Sequence, residues 1–274
     1  MAGRCGIVTP MTQLLAGKNV LVTGVLTEQS IAAAVARTAL AQGAQVMLTS
    51  PLCRAWPVTS RVAPRLGIDA PVLELDVTLP ADLDALDGAV RAAGWDRVDG
   101  VLHAIAYLPE GERGDGFAAQ PWSLVGETLQ TTAWSLAGVT RAVRPLLPRG
   151  ASVVALELDP TRAWPSLDWL GVGHAALEAT ARYLARELGE HGVRVNVVSA
   201  GPQRTLLSRA LPARAALEAG WAQRAQLGWD PGERIAVARA AVALLSDWLP
   251  ATTGSVVHVD GGAHAVGAAE GAPS

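Results

Sequence analysis

The chain has 274 residues, of which half are hydrophobic and 17% are charged, with a formal net charge of −3. This length suits one large domain and is short for two. A slightly negative net charge does not favour binding to nucleic acid or to an anionic membrane. No apolar run reaches the roughly 18 residues that a transmembrane helix needs.

Short apolar strands alternate with alanine-rich or amphipathic helices along the chain. The predicted strands are 19–23, 45–49, 72–77, 100–106, 153–158, 193–199 and 255–259. The predicted helices are 30–42, 80–93, 122–143, 167–188, 208–227 and 234–246. Because parallel strands need crossover connections, this alternation predicts a single Rossmann-type α/β domain, a doubly wound parallel sheet with helices on both faces.

This domain is expected to span residues 14–265. Residues 1–13 lack the pattern of a signal peptide and are interpreted as a flexible extension, with Met1 or Met11 as the true start. Residues 266–274 are small and polar and are interpreted as a flexible tail. The two cysteines, Cys5 and Cys53, form neither a disulfide framework nor a zinc spacing, which favours a reducing cytoplasm.

The first strand leads through Gly24 into a helix capped by Ser30. In a doubly wound fold, this turn offers unpaired N–H groups and a positive dipole end to a pyrophosphate. Only one glycine of the usual three is present, so an ordinary strand-to-helix turn is an equal alternative. An acidic residue at the end of the second strand would bind the ribose 2′-hydroxyl of NAD, but the sequence has none there. Arg54, just after this strand, is either a partner for the 2′-phosphate of NADP or a solvated loop residue.

Several longer motifs occur in a fixed order along nearly the whole chain, from about Leu14 to His264. They are LLAGKNVLVTG, SIA at Ser30, LELDV, HAIAYLP, DPTRAWP, AGPQRT and LLSDWLPATTG followed by VDGGAH. Together they resemble the NADH-dependent enoyl-acyl-carrier-protein reductases, a divergent branch of the short-chain dehydrogenase/reductases, and most closely their InhA type.

The resemblance implies an oxidoreductase of fatty acid or polyketide metabolism that binds NAD(H). It also implies an acyl substrate carried on acyl carrier protein or coenzyme A, and a homotetramer. Carried over by position, the cofactor contacts are Gly24, Leu26, Ser30, Ile31, Asp76, Val77, Ile105, Ala106, His174, Gln203 and Thr205.

The resemblance breaks where the family places a catalytic tyrosine and, seven residues later, a lysine. Here Leu167 and His174 occupy these positions. The only lysine, Lys18, precedes the first strand, and neither Tyr107 nor Tyr183 has a lysine at the required spacing. The usual tyrosine–lysine pair is therefore absent.

His174 and Glu157 are the candidate catalytic residues. A neutral imidazole at position 174 would hydrogen-bond ribose hydroxyls or transfer a proton; the alternative is that it only fills the space of the lysine. Glu157, at the carboxyl end of a strand, is an acid–base candidate. His103 and His258 lie on predicted strands and are expected to be hydrogen-bonded core residues, and no metal site is predicted.

Three functions remain open on this basis. The first is an NAD(H)-dependent enoyl-thioester reductase with an atypical active site. In enoyl reduction the proton is added to carbon, so the tyrosine serves only as one hydrogen-bond donor to the enolate oxygen, and the reaction does not strictly require it. The second is a non-redox catalyst such as a cyclase, dehydratase or isomerase. The third is an inert partner subunit that keeps the fold.

Overall fold

The computed structural model describes residues 13–51, 56–109 and 116–267. Its strands are β1 (Asn19–Val22), β2 (Gln45–Ser50), β3 (Leu73–Glu74), β4 (Gly100–His103), β5 (Ser152–Leu158), β6 (Arg194–Ala200) and β7 (Val256–Val259). Its helices are α1 (Ile31–Ala41), α2 (Trp56–Arg65), α3 (Pro80–Ala92), α4 (Trp122–Leu129), α5 (Ser135–Val143), α6 (Asp168–Gly189), α7 (Leu206–Arg209), α8 (Arg214–Arg224) and α9 (Ile235–Leu245).

The seven strands form one sheet in the order β3-β2-β1-β4-β5-β6-β7, and every neighbouring pair is parallel. The predicted Rossmann-type α/β fold is confirmed. The chain winds outward in opposite directions from β1 and β4, so a crevice opens at the carboxyl ends of these two strands. Ligands bind at such a crevice in open parallel sheets.

Apolar side chains cover both faces of the sheet. One core packs the sheet against α1 and α9, and the other packs it against α3, α5 and α6. A third, smaller cluster lies beyond the carboxyl ends of the strands, where Leu167 and Leu170 of the α6 region meet Leu211, Leu217 and Trp221. This third cluster forms one wall of the crevice.

Several element boundaries differ from the prediction for local reasons. Helix α2 was not predicted, and its sequence contains Pro57 and Pro64. The predicted helix 208–227 is two helices, because Pro212 lies between α7 and α8 and lacks the N–H that a continuous helix needs. The predicted strand 72–77 pairs with β2 at only two residues. The predicted helix 122–143 contains a π-helical segment, Gln130–Trp134, between α4 and α5.

Arg54, both cysteines, and residues 1–12 and 268–274 lie outside the described residues, so the predictions made for them stay predictions. Among the helices of the described ranges, none combines the length and the apolar character that crossing a bilayer requires.

Candidate functional site

A pocket that is open to solvent lies at the carboxyl ends of β1, β4, β5 and β6. Its walls come from the turn before α1, the segment after β4, the end of β5, the first turns of α6, the segment after β6, and helices α7 and α8. The residues that line the pocket include Gly24, Leu26, Ser30, Ile31, Ile105, Ala106, Glu157, Leu158, Leu167, Leu170, His174, Gln203, Thr205, Leu206, Leu207, Leu211, Arg214, Leu217 and Glu218.

The turn between β1 and α1 brings backbone very close to the neighbouring strand. Gly24 has φ +79°, and a Cβ there would lie 2.0 Å from the carbonyl oxygen of Ala104. Ser30 caps α1: its hydroxyl accepts from the N–H of Ala33 at 3.2 Å and donates to the carbonyl of Thr27 at 2.8 Å. No acidic residue occupies the first turn of α1, so the helix presents its positive dipole end to an anion in the pocket.

Nine of the eleven residues expected to contact the cofactor line this pocket, and two do not. Asp76 and Val77 lie beyond β3, near the edge of the sheet, and are absent from the lining. The Asp76 carboxylate accepts from the N–H and the hydroxyl of Thr78 at 2.9 and 2.6 Å, and Val77 is buried.

Leu167 and His174 both line the pocket, and both are almost completely buried, with 3% and 4% of their surface exposed. Burial lowers the pKa of His174 to about 4, although the backbone carbonyl of Leu158 opposes this shift. The ring is therefore neutral at pH 7. Its Nδ1 atom has no hydrogen-bond partner within the described part of the chain.

No tyrosine and no lysine belongs to the described lining of the pocket. Tyr183 is 72% exposed on the outer surface of α6. The backbone N–H of Tyr107 donates to the hydroxyl of Thr132. Lys18 directly precedes β1, at the amino ends of the strands and therefore opposite the pocket, and its ammonium pairs with Asp247 at 2.9 Å.

The backbone around Leu167 is unusual. Ser166 and Asp168, on either side of it, have φ values of +63° and +40°. Residues other than glycine seldom adopt positive φ, and such strain concentrates at functional sites. The hydroxyl of Ser166 accepts from the N–H of Ala213 at 3.0 Å, which ties this turn to the start of α8.

Glu157 is the only carboxyl group at the bottom of the described pocket, since the other lining acid, Glu218, lies on α8. It is 6% exposed, and it pairs in register with Ser199 of β6. Burial, together with the nearby carboxylates of Glu178 and Asp159, raises the pKa of Glu157 to about 10, although a hydrogen bond from Ser199 opposes this shift. Glu157 is therefore an uncharged acid at neutral pH, able to donate a hydrogen bond.

Helix α8 contributes Arg214 and Glu218 to the pocket, two residues that the sequence did not indicate, and the segment after β6 lies beside them. Arg204 pairs with Glu218 at 2.8 Å, and Arg214 approaches the same carboxylate at 3.7 Å. Both amide atoms of the buried Gln203 lack a partner among the residues described. Gly201 follows β6, and a Cβ there would lie 2.5 Å from the indole of Trp229, so this segment is closely packed.

The expectation that His103 and His258 are fully hydrogen-bonded is wrong. Nε2 of His103 bonds Ser135 at 2.7 Å, but Nδ1 of each histidine is buried without a partner in the described ranges. His258 stacks on His264 with ring centroids 3.9 Å apart, and Nδ1 of His264 contacts Asp260 at 3.0 Å. His258, Asp260 and His264 come together because the chain turns at Gly261 and Gly262 directly after β7. Their spacing in the sequence did not predict this grouping.

The buried acid and histidines predict a characteristic pH dependence of stability. Glu157 has a pKa of about 10 in the fold and 4.5 ordinarily, so its contribution to stability declines as the pH rises between these values. His103 and His174 have pKa values of about 4 in the fold and 6.5 ordinarily, so the unfolded chain gains protons and stability falls as the pH drops below 6.5.

The combined contribution of these three groups to the free energy of unfolding is expected to be greatest near pH 6.5. Away from this pH, each titrating group changes the free energy of unfolding by up to about 1.4 kcal/mol per pH unit. Urea unfolding at acid, neutral and alkaline pH measures this. Glu157→Gln should remove the alkaline decline. An unchanged alkaline slope in that variant would contradict the assignment.

Known proteins resemble the chain over almost its whole length. A family model described as enoyl-(acyl carrier protein) reductase matches residues 24–264. The enoyl-[acyl-carrier-protein] reductase [NADH] of Mycolicibacterium smegmatis is 41% identical over 266 residues, which cover 92% of this chain and 98% of the relative. The protein of the same name from Mycobacterium avium is 40% identical over 267 residues, with the same coverage. The FabI enzyme of Aquifex aeolicus is 34% identical over 256 residues, 93% of this chain and 94% of its own.

Proposed function

Because the chain belongs to the enoyl-acyl-carrier-protein reductase family, we propose that it reduces trans-2-enoyl thioesters with NADH. The observation that carries the proposal is a single pocket with two kinds of wall. One wall is the turn at Gly24 with the N-terminus of α1, and the other is the apolar surface of α7, α8 and Leu167. The first wall suits a dinucleotide, and the second suits an acyl chain.

The residues present suit the cofactor. The close approach at Gly24 and the acid-free start of α1 suit a pyrophosphate. Within the described residues, both amide atoms of Gln203 and Nδ1 of His174 lack a hydrogen-bond partner. Since buried polar groups are seldom left unpaired, these atoms suit the hydrogen-bonding groups of a bound cofactor. The proposed contacts are Gly24, Leu26, Ser30, Ile31, Ile105, Ala106, His174, Gln203 and Thr205. When bound, NADH supplies a hydride to the β-carbon of the substrate.

We assign the remaining chemistry to His174 and Glu157. The neutral ring of His174 hydrogen-bonds the nicotinamide ribose where the family has a lysine. The acid form of Glu157 donates to the enolate that develops when the β-carbon accepts hydride. A single donor of this kind contributes roughly 3–4 kcal/mol to transition-state stabilisation, so Glu157 takes over part of the role of the missing tyrosine.

Binding and turnover test the proposal directly. NADH and NADPH are titrated into the purified protein, and NADH oxidation is followed with a trans-2-enoyl thioester of acyl carrier protein or coenzyme A. We expect tight NADH binding and slow turnover. Binding of NADH without turnover would favour the inert partner subunit. No binding would favour the non-redox catalyst, for which the acid Glu157 in an apolar pocket is the supporting observation.

His174→Ala is expected to weaken NADH binding and lower turnover, together by about three- to tenfold, because a neutral hydrogen bond contributes about 0.5–1.5 kcal/mol. His191→Ala is the matched control, since His191 lies at the exposed end of α6 beside Glu190. Equal kinetics in His174→Ala and the control would assign His174 a space-filling role.

We also propose that the protein acts in the cytoplasm as a homotetramer. Large aromatic side chains on α4, α6 and the π-helical segment support assembly through this face: Trp122 is 75% exposed, Tyr183 72% and Trp134 46%. Apolar patches of this kind mark protein contacts. Light scattering of the purified protein measures the assembly state, and a monomer at micromolar concentration would contradict it.

A further inference from the structure

Three side chains of the kinds that bind metal ions lie together at the end of β7, outside the described lining of the pocket. They are His258 on β7, Asp260 directly after this strand, and His264 in the turn that follows. One ligand atom from each residue lies within 4.8 Å of the other two. The positive φ values of Gly261 and Gly262, +70° and +88°, allow the chain to turn back so that these side chains meet.

The carboxylate of Asp260 is held in a fixed orientation by the backbone. It belongs to a residue that is only 3% exposed. It accepts hydrogen bonds from the N–H groups of Gly262 at 2.9 Å and His264 at 2.8 Å. A carboxylate offers about four lone-pair sites, so these two bonds leave capacity for a metal ion. Hydrogen-bond donors of this kind orient the ligands of metal sites.

The two imidazole rings supply nitrogen donors beside this carboxylate. Nδ1 of His264 lies 3.0 Å from the carboxylate of Asp260, and Nδ1 of His258 is buried without a partner among the residues described. The rings stack with centroids 3.9 Å apart and 10° between their planes. Parallel rings do not aim their lone pairs at one point, so both rings must rotate about the Cβ–Cγ bond to bind one ion. Rotation about this bond has broad energy minima.

The positive groups near the turn do not occupy the carboxylate. No arginine or lysine of the described ranges forms an ion pair with Asp260. The guanidinium of Arg224 donates to the backbone carbonyls of Ala263 at 2.8 Å and Val266 at 2.8 and 3.0 Å. The guanidinium of Arg162 lies 3.4 Å from the backbone carbonyl of His264. The carboxylate therefore remains available to a cation.

We propose that His258, Asp260 and His264 bind one Zn²⁺ ion, with water in the fourth position. Two imidazoles and one carboxylate suit zinc, which takes nitrogen and oxygen ligands in a tetrahedral arrangement. The side chain of His264 is 36% exposed, so both the ion and the water have access from solvent. This site is separate from the proposed reductase chemistry and does not depend on it.

The ion stabilises the wall of the pocket as well as the turn, because helix α8 is bonded to the same turn. The indole N–H of Trp221 on α8 donates to the backbone carbonyl of Asp260 at 3.1 Å. The N–H of Leu227, just after α8, donates to the carbonyl of Gly261 at 3.0 Å. Arg224, also on α8, bonds the far side of the turn. The role of the zinc is therefore structural.

Calorimetric titration of Zn²⁺ into the full chain tests the site, after removal of any affinity tag and of bound metal with a chelator. We expect one ion per chain, and binding at least about tenfold weaker in His258→Gln and in His264→Gln, since even the outer-shell partners of metal ligands contribute 10–100-fold to affinity. His191→Gln is the matched control, an exposed histidine just after α6, and it should bind zinc like wild type.

The unfolding of the same proteins in urea provides a second readout. Zn²⁺ should move the midpoint of wild type and of the control to higher urea, because a ligand that binds only the folded state stabilises it, and it should have little effect on the two other variants. Absence of zinc binding in wild type, or equal affinity in all four proteins, would overturn the proposal.

Anomalous diffraction from crystals of wild type grown with Zn²⁺ locates the ion. We expect a peak about 2.0–2.1 Å from one nitrogen of each histidine, with the two rings rotated out of their stack. A zinc peak elsewhere, with the rings still stacked, would refute the site. This measurement needs no variant, so it remains decisive if a substitution prevents folding, and it needs no substrate, so its outcome is independent of enoyl reduction.

Discussion

Gly24→Ala is expected to abolish NADH binding and to destabilise the fold. The new Cβ would lie 2.0 Å from the carbonyl oxygen of Ala104, and the backbone φ of +79° is itself unfavourable for alanine. The turn must move by more than about an ångström to relieve the contact, which displaces the N-terminus of α1 from the proposed pyrophosphate site. We expect NADH affinity to fall by at least about a hundredfold, equivalent to roughly 2.7 kcal/mol.

Substitutions at two other glycines separate the steric clash of the new Cβ in Gly24→Ala from the backbone strain at positive φ. Gly17 has φ +72° with open space around its Cβ position, so Gly17→Ala carries only the backbone strain of about 1–2 kcal/mol. Gly88 lies inside α3 with nothing near, so Gly88→Ala should raise stability by up to about 1 kcal/mol. NADH fluorescence titration and urea unfolding measure all three variants. Wild-type NADH affinity in Gly24→Ala would exclude this turn as the cofactor site.

The double variant Leu167→Tyr with His174→Lys is expected to raise turnover of an enoyl thioester by about 10²–10³-fold. The phenol restores an oxyanion donor, which contributes roughly 3–4 kcal/mol. The ammonium at position 174 replaces the proposed neutral hydrogen bond from His174 to the ribose with a charged one. It also lies near Glu157, where a neighbouring cation would stabilise the carboxylate and lower the pKa of that group well below about 10.

The two single variants separate the effect of the new phenol on kcat from the effect of the new ammonium. Leu167→Tyr alone should raise kcat, whereas His174→Lys alone should remove the acid form of Glu157 and lower kcat at neutral pH. Steady-state kinetics with NADH measure both. A double variant no faster than wild type would show that the pocket has diverged beyond these two positions, and would favour the non-redox or inert alternatives.

The sequence was sufficient to predict the sheet and its crevice because both depend on local patterns. The β-branched runs at Val20–Val22 and Val195–Val198 and the caps at Ser30 and Gly43 are signals that a single segment carries. The positions of Leu167 and His174 were expected from the family resemblance and not from a local pattern. Both line the pocket, Leu167 as the N-cap residue of α6 and His174 within that helix.

The burial of Glu157 could not be predicted in this way. Its side chain is 6% exposed because α6 packs across β5, and that packing depends on residues far apart in the sequence. Local signals also failed for α2, where Pro57 and Pro64 are poor indicators of a helix. The contacts of Glu218 with Arg204 and Arg214 likewise depend on the turn at Pro212.

The close packing of aromatic rings around Gly201 has an optical consequence. The indoles of Trp221 and Trp229 lie against this glycine at the pocket wall, and Trp221 is completely buried with Trp164 4.6 Å away. Reduced nicotinamide absorbs light in the range that buried indoles emit. Energy absorbed by these tryptophans should therefore be transferred to bound NADH by resonance. The tryptophan fluorescence should then fall as NADH binds, so that binding can be measured without an added label.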